Sequence, residues 1–156
     1  MPLICAGILA MVLASPVLQA IQRFIPTSTL VRIASMTARN EGYDPEAAGI
    51  YLDELRTPDG KEPLAGYSSI GLYKNGHLIR SYSIRISTGD VIDANECKIF
   101  RYPGLQRFRR ETMKAFGTKE TSLEDLASEV GCDRLEVVPA GNGRFKSKEG
   151  DKRQRR

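Results

Sequence analysis

The sequence predicts an α+β domain behind a hydrophobic leader, and three observations predict it. A stretch of period two folds back on itself at Asn75-Gly76, two stretches after Pro103 repeat their apolar residues at helical spacing, and residues 3–18 are almost wholly apolar. The expected order is a signal or anchor, a helix, a three-stranded antiparallel meander, two helices and a short closing strand. With 156 residues, 41% hydrophobic and 27% charged, the chain suits one folded core rather than a disordered polymer. Three cysteines are too few for a disulfide scaffold, and no Cys/His spacing suits structural zinc. No cofactor or metal site is expected.

The leader comes first. Residues 1–22 carry no charge, and Leu3 to Leu18 is short for a membrane-spanning helix and interrupted by Ser15 and Pro16. An apolar core followed by small, helix-breaking residues reads as a secretory signal over residues 1–20, with cleavage after Ala20 or Ala14. Two other readings stay open: an uncleaved anchor through residues 3–21, with Arg23, Arg32 and Arg39 on the cytoplasmic side, and a true start at Met36. Residues 21–40 read as a linker with some helix around Leu30 to Ala34.

The domain is expected over residues 41–140. Asp44-Pro45-Glu46 has the chemistry of a helix start, and Ala48, Tyr51, Leu52 and Leu55 follow as one apolar stripe, predicting a helix over 44–56. YSSIGLYK, Asn75-Gly76 and HLIRSYSIRIS predict a hairpin with a type I′ turn. A two-residue turn sets Tyr73 opposite Leu78 and Ser69 opposite Tyr82, with Leu78, Arg80, Tyr82, Ile84 and Ile86 on one face. Ser81, Ser83, Arg85 and Ser87 then present the other face, a candidate protein-binding surface with edge strands beside it. Thr88-Gly89-Asp90 turns the chain, and VIDANECKIFR predicts the third strand. Leu105, Phe108, Thr112 and Phe116 mark a helix ending near Gly117, and Leu123, Leu126, Ala127 and Val130 mark another closed by Gly131. Thr121-Ser122-Leu123-Glu124 has capping-box spacing, and RLEVV before Pro139 is the closing strand.

Few residues suggest chemistry. If the chain is exported, Cys97 and Cys132 are the two cysteines of the mature protein and form a disulfide candidate. The single histidine, His77, follows the hairpin turn and has no nucleophile arrangement around it, so no catalytic site is expected. Asp90, Asp93 and Glu96 miss calcium-loop spacing and read as solvated acids at a turn. Arg107, Arg109, Arg110 and Lys114 read as the solvated face of a helix, with anion binding as the functional alternative. Residues 1–143 hold 16 Lys+Arg against 17 Asp+Glu, whereas residues 144–156 hold 7 against 2. The basic balance therefore belongs to the tail, residues 141–156, which reads as a disordered terminus able to meet anionic lipid or nucleic acid by charge.

The arrangement from Asp44 to Ile92, with Ser83-Ile84-Arg85-Ile86-Ser87 running into Thr88-Gly89-Asp90-Val91, resembles a PepSY-type domain, a small bacterial envelope module. The segment from Cys97 to Val138 resembles small exported bacterial proteins. The resemblance implies inhibition or chaperoning of secreted peptidases, or envelope sensing, and no catalytic residue. The expected function is thus a non-catalytic binding or regulatory module, inhibitor-like, secreted or periplasmic, with a protein partner in the cell envelope. The alternatives are a membrane-anchored protein with a cytoplasmic basic tail, and a cytosolic nucleic-acid binder beginning at Met36.

Overall fold

A six-stranded sheet in the order β1-β2-β3-β4-β5-β6 organises the computed structural model, which describes residues 25–140. The elements are α1 (Thr27–Asn40), β1 (Ile50–Glu54), β2 (Tyr67–Lys74), β3 (His77–Arg85), β4 (Val91–Asp93), β5 (Lys98–Phe100), α2 (Pro103–Phe116), α3 (Leu123–Val130) and β6 (Glu136–Val138). Neighbouring strands are antiparallel except β5 and β6, which run parallel. The expected signal at 1–20 and basic tail at 141–156 lie outside the described residues. No helix among the described residues is long and apolar enough to cross a membrane.

The α+β class, the hairpin at Asn75-Gly76, both late helices and the closing strand stand as predicted. Gly117 and Gly131 end α2 and α3 in the left-handed conformation, where the missing Cβ removes the clash. The N-cap of α3 is Ser122, whose hydroxyl accepts from the Asp125 N–H.

Three parts of the expectation are corrected. First, residues 27–40 are helix rather than linker. Leu30, Ile33, Ala34, Thr37 and Ala38 recur at i, i+3, i+4, i+7, i+8 and are buried against the sheet. Thr37 is tolerated there because its hydroxyl donates back to the Ile33 carbonyl at 2.9 Å. A chain beginning at Met36 would lose Leu30, Ile33 and Ala34 from this core.

Second, 44–56 is not a helix. Asp44 to Ala47 forms a turn, with the Asp44 carboxylate accepting from the Glu46 N–H, and the chain then enters β1. Gly49 is the switch. Its φ is +76, and a Cβ there would lie 2.2 Å from Asn75 Oδ1, so glycine docks β1 on the hairpin turn. Its carbonyl accepts from the Asn75 N–H.

Third, the meander is longer and its register differs. Residues 91–100 are two short strands joined by a turn in which Cys97 takes φ +52. Tyr73 faces Leu78 as expected, but the register then shifts, so Leu72 faces Arg80, Ile70 faces Tyr82 and Ser69 faces Ser83. Ile79 is the extra residue of a β-bulge. Beyond a bulge the faces exchange, which separates Leu78 from Tyr82 and Ile84.

Helices cover both faces. On one, α1 and α2 pack on Ile70, Leu72, Tyr82, Ile84, Val91 and Phe100. On the other, α3 packs with Leu126 and Ala127 on Tyr67, Ile92 and Ile99, together with Cys132 and Leu135. Adjacent residues such as Val91 and Ile92 belong to different clusters, as strand alternation requires.

Candidate functional site: the uncovered end of the sheet

The α3 helix covers only part of its face. Toward β1 and the hairpin turn, Tyr51 and Tyr73 stack cross-strand with ring centroids 5.1 Å apart and planes 7° from parallel. Their pairing follows from the β1–β2 register, which sets Tyr51 opposite Tyr73. The bulge at Ile79 brings Leu78 onto the same side. Gly71 lies buried beneath, and a Cβ on it would meet Tyr73 Cε2 at 2.6 Å and Leu78 Cδ1 at 2.9 Å. Tyr51 is 46% exposed and Leu78 45%. The result is a small apolar platform on a rigid sheet, open to solvent. Rigid aromatic side chains bury large area at low entropy cost, which suits a protein-contact anchor.

Both sheet edges are guarded against strand addition. On β1 the Ile50 N–H donates to the Ala47 carbonyl at 3.0 Å, and the Glu54 N–H donates to the neighbouring Asp53 carboxylate at 2.8 Å. Of the outward-facing amides, that leaves Leu52. The opposite edge, β6, is three residues long and is followed by Pro139, which has no N–H. The edges expected as docking sites are therefore poor ones, and contact through side chains on the open face is the better chemistry.

The face containing Ser81, Ser83, Arg85 and Ser87 is largely closed. Ser81 and Ser83 are each 5% exposed. Ser83 Oγ lies 3.2 Å from Ser69 Oγ, and Ser81 Oγ accepts from Asn95 Nδ2. Arg85 donates to Thr121 and pairs with Glu129 at 2.6 Å, and Glu129 also accepts from the Tyr67 hydroxyl. Arg85 and Ser87 line a shallow groove with Phe116. This surface is thus mostly internal, because α3 and the 94–97 turn sit over it; the Tyr51–Tyr73–Leu78 platform is the part left open. Sequence reading missed the platform because it depends on a β1 strand read as helix.

The basic and acidic residues also divide. Arg107, Arg110 and Lys114 are exposed on α2, but Arg109 is buried. Asp90, read as a solvated acid, is fully buried. Its Oδ1 lies 2.5 Å from Arg101 Nη1 and 2.9 Å from Arg109 Nε, and its Oδ2 accepts from the Thr88 hydroxyl at 2.6 Å. Arg109 continues to Glu120 at 2.7 Å. Asp93 is also buried, its Oδ1 accepting the Asn95 and Glu96 amides. These groups fasten turns and strands to one another, and no cluster of metal-ligating side chains stands among the described residues. His77 is exposed, as its turn position requires.

A second polar group lies where α1 ends. The Tyr82 hydroxyl donates to Glu41 Oε2 at 2.7 Å, Arg80 Nε lies 3.8 Å from Oε1, and Arg80 extends over the Tyr43 ring. Burial pushes the Glu41 carboxyl above its ordinary range, opposed by the Tyr82 hydrogen bond and Arg80. Asp93 is raised by burial too. A carboxyl raised on folding holds its proton more tightly in the native state, so its contribution to stability is present below 4.5 and lost as pH rises through the folded value. Glu41→Gln keeps an acceptor for Tyr82 and removes this titration. Its urea midpoint relative to wild type is expected to climb as pH rises above 4.5. A difference independent of pH would show that Glu41 is not held above its ordinary value.

The sulfurs of Cys97 and Cys132 lie 2.08 Å apart, with Cα atoms 5.8 Å apart, the arrangement of a disulfide between the β4–β5 turn and the residue after the α3 cap.

No protein-family model and no curated protein matches the sequence. The fold is similar to a chain in the structure of a type VI secretion system effector-immunity complex from Pseudomonas protegens. The TM-score is 0.60 at 21% identity, over 70% of this chain and 91% of that one. At that identity the likeness is one of fold.

Proposed function

We propose that this protein is a non-catalytic, inhibitor-like binding module that holds a protein partner against the open end of its sheet. The observation that carries the reading is the stack of exposed Tyr51 on half-buried Tyr73, with exposed Leu78 beside it. Aromatic anchors of this kind dominate binding energy where a partner excludes water from them. The fold likeness to a chain from an effector-immunity complex supports the reading and suggests a partner of the effector class. The buried charged side chains Asp90, Asp93 and Arg109 are engaged in fastening the fold, in line with a binding role. We further place the protein outside the cytoplasm, with residues 1–20 as the export segment and Cys97–Cys132 closed, in line with the PepSY-type resemblance.

The test is isolation of the tagged full chain from its native cells, followed by sizing of the complex and identification of its components. A defined heteromeric complex is expected, with affinity falling roughly 30-fold or more in Tyr51→Ala/Tyr73→Ala, about 2 kcal/mol for truncated hot spots. An unchanged complex in that variant, with its melting temperature preserved, would place the interface elsewhere.

A further inference from the structure

On the opposite side of the sheet from the aromatic platform, α1 and α2 enclose an open groove of about 360 Å³. Ile33, Met36 and Phe108 supply its apolar lining, and Arg32 and Arg107 stand at its rim with Glu111. Gly104 leaves room for the Met36 side chain; a Cβ there would meet Met36 Sδ at 2.6 Å. The charge around this groove is unevenly basic, whereas residues 120–136 around α3 hold six acids against one base. Over residues 25–140 the chain holds 15 Lys+Arg against 17 Asp+Glu, yet α1 and α2 together carry Arg32, Arg39, Arg107, Arg109, Arg110 and Lys114 against the single acid Glu111.

The pairing pattern sharpens this. Arg39, Arg56, Arg80, Arg85, Arg101 and Arg109 each have a carboxylate partner. Arg32, Arg107, Arg110 and Lys114 form no ion pair among the described residues and are exposed, as are Lys74, Lys119 and Arg134 elsewhere. Arg32 and Arg107 flank an apolar trough with a flexible, polarisable methionine in it.

We propose that the α1–α2 groove docks an acidic amphipathic segment of a protein partner, with an apolar side chain in the trough and carboxylates on Arg32 and Arg107. Bidentate guanidinium–carboxylate contact gives orientation as well as attraction. The apolar lining between the two arginines matches a peptide that alternates carboxylates with an apolar side chain, and nucleic acid and anionic lipid are separated from it by the test. This surface is separate from the Tyr51–Tyr73 platform and stands or falls independently of the proposed function.

The test pans a random 12-residue peptide display library on the full chain and on Arg32→Glu/Arg107→Glu, both exposed positions, after equal melting temperatures are confirmed. Wild type is expected to enrich peptides with Asp or Glu flanking Leu, Ile, Met or Phe. A synthetic consensus peptide should bind at least tenfold more weakly to the charge-reversed variant, weaken with salt, and bind Tyr51→Ala/Tyr73→Ala as it binds wild type. The proposal is overturned if wild type enriches no acidic peptides, if the reversed variant enriches the same ones, or if duplex DNA or phosphatidylserine vesicles bind more tightly than the consensus.

Discussion

Asp90→Ala is expected to lower the unfolding free energy by about 3–5 kcal/mol, the range for removing one partner from a buried ion pair. The carboxylate is fully buried and sits between the guanidinium groups of Arg101 and Arg109, with Thr88 on its other oxygen. Removing it leaves Arg109, buried at 6% exposure, with surface Glu120 as its remaining anion. Arg101 keeps a route to solvent, so Arg109 carries most of the loss. The Thr88–Asp90 turn is wedged against α2, where a Cβ on Gly89 would lie 3.0 Å from Phe108 and Thr112 and 3.2 Å from the Arg109 Cα. The turn thus packs directly on the α2 backbone at Arg109. Asp90→Asn should retain the acceptor for Thr88 and recover part of the loss, whereas Thr88→Val should cost about 1 kcal/mol, the ordinary value of one hydrogen bond. Urea unfolding of the three variants checks the order. A loss below about 1 kcal/mol for Asp90→Ala would show that the ionic trio does not hold α2, since surface pairs are worth no more than that. If the order holds, pairing Asp90→Leu with Arg109→Met should be far milder than Asp90→Ala alone, because it leaves no buried charge unpartnered.

How much of this was legible depends on how local each cause is. Asn75-Gly76 fixes a hairpin within its own few residues, and Ser122 and Gly131 mark their helix ends in the same way. The bulge at Ile79 is different. Arg80 reaches Glu41 and Tyr43 at the end of α1, and Ile79 packs in the same core cluster, so the contacts at the bulge come from a distant helix. Reading the strand as regular kept Leu78 with Tyr82 and hid the open platform. Residues 48–55 satisfy helical and strand periods equally well; pairing with β2 and the positive φ of Gly49 decide for the strand. Asp90 and Arg109 carried a signal that went unused. Leu105, Arg109 and Thr112 fall at i, i+4, i+7, so Arg109 lies inside the buried stripe of α2, and a cation in such a stripe calls for an internal acid. Residues 27–40 show the converse: their stripe was complete only with threonine counted as a core residue. What no local pattern shows is the free charge on Arg32 and Arg107, because it depends on which arginines find acids after folding.

Removing the Cys97–Cys132 bridge is expected to cost about 3–4 kcal/mol, on the chain-entropy cost of closing a loop of 35 residues. The loss should not be spread evenly. The two cysteines tie the β4–β5 turn to the chain leaving α3, and beyond Cys132 only Leu135 and the three-residue β6 fasten the last described segment to the sheet. Helix α3 is itself short, eight residues, with Leu126 and Ala127 as its buried contacts. Short helices are marginal without tertiary support, so the bridge supplies much of what holds this face closed. In Cys97→Ser/Cys132→Ser the amides of residues 126–138 should lose hydrogen-exchange protection first, while β2 and β3 remain protected. Uniform loss across the sheet would instead make the bridge a support for the whole fold. The same bond bears on location, since reducing compartments keep such pairs open. Intact mass of the protein from its native cells, alkylated before and after reduction, should show both thiols blocked until reduction. Both alkylating directly would remove the support for an extracytoplasmic protein and leave α3 held by Leu126, Ala127 and the Arg85–Glu129 pair alone.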